Sequence, residues 1–385
     1  ASVTGNIGNS GAGATYSRYM LSIVKDVTIK AKDTTVTLDK QIKHNETGNW
    51  GVVGDNQIGD TVEFRTITTV PDVTGYTSYT YEIHDTMSNE LTSNVNSASD
   101  ITIKVNNSDA KILDSQYYDV NASGNTFTVT VKIIDAVKAG ALHADDNLYT
   151  YYTGVLNESA KVYDEGNQNN EAYLVYSNKP GTDGTGKTPE KKVYDWTFKV
   201  DVTKVDGKDS NTKLDGAVFV LSETKDLVLN PDENGNPTTG TDKLIKLVDN
   251  NNGTYTVANT SATTTYTMTT PTGGKISIKG LDDHTDYYLY ETKAPGGYNA
   301  LTAPVKIMID DTKYDVFGST FSGQPNVVVN EYKAYSGVSF NVANNQGTTL
   351  PGTGGIGTTI FYVIGGGLMA AAGVLLITKK RMENR

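Results

Sequence analysis

Residues 196–204 read WTFKVDVTK, and their alternation decides the fold. Side chains of a β-strand point in turn to the two faces of a sheet. The members of one face are large and apolar: Trp196, Phe198, Val200 and Val202. The pattern predicts a strand with one buried face. Lys204 continues that face, so an amine is expected to point into the core.

Short alternating runs of this kind recur along most of the chain, with turn signals between them. The 385 residues include 38 Gly and 24 Tyr, which suits β-structure with many turns. No helical hydrophobic period of useful length precedes the C-terminal segment. The predicted fold class is all-β, with tandem immunoglobulin-like β-sandwiches and a C-terminal transmembrane helix.

Composition divides the chain into six segments. The N-terminal one has no secretory signal and is expected to be the remnant, or the last strands, of a domain whose beginning is missing. The segments are 1–32 (this remnant), 33–180 (first unit), 181–192 (linker), 193–335 (second unit), 336–349 (spacer) and 350–385 (C-terminal segment).

The C-terminal segment contains one predicted membrane span. Residues 356–378 form an uncharged stretch of 23 residues (378 − 356 + 1), followed by Lys379, Lys380 and Arg381. Roughly 20 apolar residues cross a bilayer. Basic residues favour the cytoplasmic side. The bulk of the protein is therefore expected outside the cell.

Charge and cysteine content exclude several classes of partner. Lys plus Arg total 33 and Asp plus Glu total 44, giving a net charge of −11 without a long basic run before the tail. This argues against a nucleic-acid partner.

Cysteine is absent, so exported domains would need a stabilising cross-link other than disulfides. With four His and no evident metal-ligand cluster, we expect no metal or cofactor, and no paired acids of a sugar hydrolase can be recognised.

Each unit places a Lys, an acid and an Asn on its predicted buried face. In the second unit these residues are Lys204, Glu291 and Asn330. In the first unit they are Lys40, Asp85 and Asn178. Such groups are costly to bury singly.

Together, the three groups suggest a reaction. Burial lowers the pKa of Lys and raises that of a carboxylic acid. A neutral amine is a nucleophile, and a protonated acid can polarise an amide carbonyl and relay protons. The expected product is an isopeptide bond, formed once with loss of ammonia, so this is maturation and not enzymatic turnover. The alternative is a buried Lys–acid ion pair with Asn capping a strand end.

Residues 350–385 resemble the cell-wall sorting signal of Gram-positive surface proteins. The motif LPxTG stands directly before the span, as Leu350, Pro351, Gly352, Thr353 and Gly354. The resemblance implies that a sortase cleaves between Thr353 and Gly354 and passes Thr353 to an amine, so that the membrane anchor is transient. A plain tail anchor is the alternative.

The second unit resembles the B-type repeat of the collagen-adhesin family, which occurs in Gram-positive pilins. The resemblance lies in residues 202–206 (VTKVD), 214–219 (LDGAVF) and 287–298 (YYLYETKAPGGY). It implies a Lys204–Asn330 isopeptide bond with Glu291 as the catalytic acid.

The first unit resembles the A-type pilin domain of the same family. The matching residues are 58–60 (IGD), 79–87 (YTYEIHDTM) and 176–178 (YSN). The resemblance implies a Lys40–Asn178 bond with Asp85 as the catalytic acid. Lys43 competes with Lys40 for the amine.

The combination resembles the SpaA-like major, or backbone, pilins that sortases assemble. Residues 27–32 (VTIKAK) match the frame of the pilin motif and place Lys32 as the acceptor lysine. Lys30 and Ala31 replace the Tyr and Pro of that motif. Lys30 and Lys179 are competing acceptors, and Lys32 as an ordinary solvated lysine is the further alternative.

These resemblances imply a structural subunit of a cell wall-anchored surface pilus. Its expected partners are a class C pilus sortase, a housekeeping sortase, identical subunits in a covalent polymer, tip and basal pilins, and peptidoglycan. The alternative is a monomeric wall-anchored adhesin or a basal pilin, which needs Thr353 but no acceptor lysine.

Overall fold

The computed structural model describes residues 14–15, 34–179, 182–261, 263–311, 325–331 and 333–347. Lys30, Lys32, the sorting motif 350–354 and the predicted span 356–378 lie outside these residues. Within the described ranges, no helix has the length and apolar character needed to cross a membrane.

The first unit consists of two sheets with one short helix, α1 (Ile133–Lys138). A separate two-stranded pair, β1 (Ala14–Thr15) and β2 (Thr34–Thr35), precedes it. The strands of the unit are β3 (Leu38–Lys43), β4 (Trp50–Gly51), β5 (Val53–Asp55), β6 (Thr61–Thr69), β7 (Tyr81–Met87), β8 (Leu91–Ser93), β9 (Thr102–Val105), β10 (Tyr118–Ser123), β11 (Thr126–Val131), β12 (Asn147–Leu156), β13 (Gln168–Ser177), β14 (Thr185–Lys187) and β15 (Lys191–Trp196).

One sheet of the first unit has the order β10-β11-β7-β13-β15-β5, with β14 also paired to β13. The other has the order β4-β3-β6-β12-β8, with β9 also paired to β12. Every second residue of β6 and β12 is buried, which is the expected pattern for strands with one face on a core. Single-turn 3-10 helices lie at Ala98–Asp100 and Ser115–Tyr117.

The second unit also has two sheets, and a 3-10 helix at Thr241–Lys243. Its strands are β16 (Phe198–Asp206), β17 (Val218–Ser222), β18 (Leu247–Asp249), β19 (Thr254–Val257), β20 (Met268–Thr269), β21 (Lys275–Leu281), β22 (Tyr287–Lys293), β23 (Val305–Asp310), β24 (Asn326–Val329), β25 (Lys333–Tyr335) and β26 (Ser339–Asn344). The sheet orders are β18-β19-β21-β16-β26 and β20-β17-β22-β23-β24-β25. The all-β prediction is confirmed.

Two predicted connecting segments are strands instead. Within the predicted linker 181–192, β14 and the start of β15 pair with β13, so they complete a sheet of the first unit. The predicted start of the second unit at residue 193 falls inside β15, and the next unit begins at β16. The exposed Lys191 and Lys192 give this edge the composition of a linker, although Val193 behind them is buried.

The predicted spacer 336–349 contains β26, which pairs in parallel with β16. Its residues Val338, Phe340 and Val342 are buried. The polar residues between them gave the stretch the average composition of a loop, but their alternation is that of a strand with one buried face. This segment is therefore the last strand of the second unit.

The two units are joined by a packed junction. The backbone N–H of Ile58 donates to the carbonyl of Gly280 at 3.0 Å, and the Thr197 hydroxyl donates to the carbonyl of Leu281 at 2.9 Å. Gly280 has φ +85°, and a Cβ there would lie 2.4 Å from Cδ1 of Ile58. Glycine is thus required for this close approach. One continuous set of buried apolar side chains runs through both units.

Candidate functional site

The second unit brings an amine, a carboxyl and a carboxamide together in its core. Lys204 on β16 is fully buried, the Glu291 side chain on β22 is fully buried, and Asn344 at the end of β26 is 1% exposed. Nζ of Lys204 lies 3.3 Å from Oε1 of Glu291 and donates a hydrogen bond to Oδ1 of Asn344. Nδ2 of Asn344 donates to both Glu291 carboxyl oxygens, at 2.8 and 2.9 Å.

Strand pairing determines this meeting. β26 runs parallel to β16, with Val342 opposite Lys204 and Asn344 opposite Asp206. Phe340, Val342 and Asn344 share the face that looks into the core. Asn344 therefore lies two residues past the position opposite Lys204, on the same face of the sheet.

The structure corrects the predicted partner Asn330. Asn330 follows β24 with φ +50°, is exposed, and its Oδ1 accepts from the backbone N–H of Lys306 at 2.9 Å. In β24 the buried valines are Val327 and Val329, not Val328. The three consecutive valines of β24 include no polar residue. The sequence alone therefore does not show which of them face the core and which face outward.

The first unit contains a second cluster of the same composition. Lys40 on β3, Asp85 on β7, Tyr152 on β12 and Asn170 on β13 are each at most 3% exposed. Nζ of Lys40 lies 2.6 Å from Oδ2 of Asp85. The Tyr152 hydroxyl donates to the same carboxyl oxygen and accepts from Lys40. Nδ2 of Asn170 lies 3.5 Å from the Tyr152 hydroxyl.

Asn178, the predicted partner of Lys40, does not reach this cluster. It lies just past β13, partly exposed, and its Nδ2 donates to the carbonyl of Thr185 at 3.0 Å. The residue of β13 opposite Asp85 is Ala172. Asn178 is six residues further on (178 − 172), ~20 Å along a strand, whereas Asn170 is only two residues from Ala172 on the same face.

Lys43, the competing amine, lies on the outer side of β3. Its side chain is 34% exposed and pairs with Oε1 of Glu63 at 2.5 Å. Lys40 is therefore the lysine of the first unit that the structure places in the core.

Burial shifts the pKa values of both clusters toward neutral amines. Desolvation lowers the pKa of Lys40 and raises that of Asp85, and each partner's charge opposes the shift only in part. Desolvation also lowers the pKa of Lys204, against the attraction of Glu291. The neutral form of each amine is the nucleophilic one.

Three residues of these clusters, Asn344, Asn170 and Tyr152, are not among the residues predicted from the sequence. The alternation of buried residues along the strand gives a signal for the two asparagines. Asn344 continues the alternation of Phe340 and Val342, as Lys204 continues that of β16. Asn170 lies two residues before Ala172, on the same face of the strand, whereas Asn178 follows the other end of that strand. Tyr152 lies in a run rich in tyrosines, TYYTG, which gives no sign of its hydroxyl's role.

Each cluster has the groups needed for one acyl transfer. The amine contacts the acid in both units, and in the second unit it also contacts the carboxamide. The acid of the second unit holds the amide nitrogen that would leave. Apolar rings surround the amines: Nζ of Lys40 is 5.6 Å from the Phe64 ring centre, and Nζ of Lys204 is 5.8 Å from that of Phe219.

Two protein-family models match the chain. Residues 260–319 match the SpaA prealbumin-like fold domain, and residues 343–384 match the LPXTG cell wall anchor motif. The predicted anchor motif is thus confirmed. No curated protein sequence matches the chain.

Solved structures of major pilins share the fold. BcpA of Bacillus cereus has a TM-score of 0.51 at 19% identity, covering 82% of this chain and 71% of that one. A C-terminal fragment of GBS80 of Streptococcus agalactiae has a TM-score of 0.53 at 19% identity, covering 80% of this chain and 99% of that one. Full-length RrgB of Streptococcus pneumoniae has a TM-score of 0.51 at 16% identity, covering 83% and 75%.

The two family matches and the described fold agree with each other. The SpaA match lies within the second unit, and the anchor match begins inside β26 and covers the LPGTG motif. The chain therefore carries a SpaA prealbumin-like domain and an LPXTG anchor motif, on an all-β fold like that of major pilins, and it is an extracellular protein held at the cell wall.

Proposed function

We propose that this chain is the backbone subunit of a covalent, sortase-polymerised surface pilus. In this proposal its units are stabilised by self-formed isopeptide bonds, Lys40–Asn170 and Lys204–Asn344. Three structural neighbours are named as major pilins, and this supports the pilus role. The observation that carries the cross-links is the occurrence of a buried amine, acid and carboxamide in each of the two units.

The proposed reaction balances without a co-reactant. The neutral Lys204 amine attacks Cγ of Asn344, and a C–N bond forms. Glu291 takes a proton from that nitrogen and delivers one to the amide nitrogen that it holds. The original C–N bond then breaks, ammonia leaves, and a secondary amide remains. Asp85 takes the same role for Lys40 and Asn170, and Tyr152 positions its carboxyl group.

The positions of the bonds suit a fibre under tension. Lys204 and Asn344 lie on the first and last strands of the second unit, which run parallel, so a bond between them would let force bypass the intervening sheet. The bond would close a loop of 140 residues and restrict the unfolded chain by ~5 kcal/mol in the loop-entropy model. This would offset the lack of disulfides in a chain without cysteine.

Lys32→Ala tests the acceptor lysine of the proposed polymer. When the full chain is expressed with its pilus sortase, we expect a ladder of high-mass species, because Thr353 of one subunit would join Lys32 of the next. Lys32→Ala is expected to abolish the ladder, and gel electrophoresis of cell-wall extracts measures it.

Lys30→Ala and Lys179→Ala are the matched controls and should keep the ladder. Lys179 is exposed, so its loss perturbs no packing. A ladder that persists in Lys32→Ala and disappears in one control would reassign the acceptor. If the wild-type chain forms no ladder and only a single wall-linked species, the polymer is refuted in favour of a monomeric wall protein.

A further inference from the structure

Six acidic and histidine side chains meet where the two units join, and we call them the junction cluster. They are His44, Glu46, Asp55, Asp282, Asp283 and His284. The first three come from the turn after β3 and from the end of β5, and the others from the loop after β21. The cluster is separate from the Lys40 and Lys204 sites.

Three carboxylates form the inner part of the cluster. Asp55, Asp282 and Asp283 each offer an oxygen within 4.8 Å of the others. They are 2%, 6% and 0% exposed. Glu46, which is exposed, groups with His44 and Asp55 on one side and with Asp283 and His284 on the other. The inner group is therefore made of oxygen alone, and nitrogen occurs only around it.

One buried oxygen of the inner group, Oδ1 of Asp55, has no hydrogen-bond partner. The Asp283 side chain contacts a fourth buried carboxyl, that of Asp311, which is 3% exposed. Nδ1 of His284 lies 2.5 Å from Oδ2 of Asp283 but without hydrogen-bond geometry, and Nε2 of His44 lies 3.4 Å from Oδ2 of Asp55. Among the described residues, no Lys or Arg forms an ion pair with these three aspartates.

Such an arrangement is unfavourable without a counter-charge. A buried carboxylate that lacks both a hydrogen bond and a cation loses its hydration with no compensation. A cation held between the carboxylates would supply the missing counter-charge.

We propose that the junction cluster binds a hard divalent cation of the Ca²⁺ class, with Asp55, Asp282 and Asp283 as ligands and Glu46 at the rim. Ca²⁺ takes six to eight oxygen ligands, and carboxylates supply them singly or in pairs. Zn²⁺ prefers the nitrogen and sulfur ligands that the inner group lacks. The two histidines are then not ligands but neighbours of the ligand carboxylates, as His44 is of Asp55.

The bound cation would tie the two units at their joint. Asp55 belongs to the first unit, and Asp282 and Asp283 belong to the second. Hydrogen bonds and ion pairs already cross the joint: Nδ2 of Asn45 donates to Oδ2 of Asp282 at 2.6 Å, and Lys199 and Lys279 pair with Asp164 and Glu165. Coordination across the joint would fix the angle between the units whether or not the isopeptide bonds form.

Cation titration of the full chain tests the proposal. The chain is purified in detergent over a chelating resin, and Ca²⁺, Mg²⁺ or Zn²⁺ is added while heat of binding and melting temperature are recorded. We expect saturable Ca²⁺ binding and an upward shift of the melting temperature, because a ligand that binds only the folded state stabilises it. Asp283→Asn should lose both effects, and Asp242→Asn, at an exposed acid with a 76% exposed side chain, should keep them.

Each outcome decides the matter. Asp55→Asn should lose Ca²⁺ binding as Asp283→Asn does. If one of the two variants fails to fold, the other still tests the site. The titration of the wild-type chain tests Ca²⁺ binding without any variant. Absence of saturable Ca²⁺ binding at millimolar concentration would refute the site and leave protons shared between the carboxyls. Zn²⁺ binding without a Ca²⁺ response would refute the oxygen-ligand assignment. An unchanged Ca²⁺ response in both Asp55→Asn and Asp283→Asn would refute its location.

Discussion

Replacing Asn344 by alanine is expected to return one ammonia, about 17 Da, to the mass of the mature chain after correction for the substitution. The buried Lys204 amine would have no carboxamide to attack, although Glu291 remains in place. Loss of the cross-link would also remove ~5 kcal/mol of stabilisation. For a unit of this size that lowers the melting temperature by ~10–20 °C. Intact-mass spectrometry and a thermal melt measure the two effects.

Asn330→Ala is the matched control for this prediction. Asn330 is the exposed asparagine that follows β24, so its loss should leave the mass deficit intact. Its φ of +50° makes alanine unfavourable there by ~1–2 kcal/mol, well below the effect of losing the bond. A mass deficit that survives in Asn344→Ala and disappears in Asn330→Ala would contradict the pairing seen in the core.

Asp85→Ala is expected to stop bond formation in the first unit and to destabilise it strongly. Asp85 is the acid that contacts the Lys40 amine, and Tyr152 donates to the same carboxyl oxygen. Without Asp85 no group relays the proton, so one ammonia should remain in the mass. We expect a loss of ~5 kcal/mol from the missing cross-link. Breaking the buried pair adds ~3 kcal/mol, because the amine stays buried without an acid.

Asp109→Ala controls for the removal of an acid from a Lys–Asp pair. Asp109 pairs with Lys104 at 2.5 Å, but its side chain is 89% exposed. An exposed pair of this kind contributes little to stability, because solvent screens it. The mass deficit should therefore be unchanged and the melt nearly so. Equal losses of stability in the two variants, with both mass deficits retained, would contradict a reactive role for Asp85.

The amines and acids of the sites could be predicted because burial follows strand period. Lys40 and Lys204 continue runs such as Val36-x-Leu38 and Phe198-x-Val200-x-Val202, and the structure buries both lysines. That signal is local, since each strand faces the core through every second residue. Asp85 and Glu291 follow from the same rule on β7 and β22.

The asparagines could not be assigned in this way. The alternation of residues shows which face of a strand a side chain lies on, but it does not show which residue of the neighbouring strand it lies opposite. The alternation places Asn170 and Asn178 on the same face, so it alone does not show which of them is near Lys40. The register of β13 against β7 decides between them. Asn344 required recognition of β26 in a stretch with the composition of a spacer.

The junction cluster is a consequence of how the units dock. Its residues come from positions 44–55 and 282–284, more than two hundred residues apart, and no spacing motif links them. Packing of the turn after β3 against the loop after β21 brings them together. Sequence patterns report local burial, whereas this site depends on the orientation of two domains.

The most direct test of the cross-links is the mass of the uncleaved full chain, produced without its sortase, followed by sequencing of its proteolytic peptides. We predict a deficit of about 34 Da, two ammonia molecules, relative to the sequence. The branched peptides should join Lys40 to Asn170 and Lys204 to Asn344. A mass equal to that of the sequence, with all four residues recovered in linear peptides, would contradict the proposed bonds.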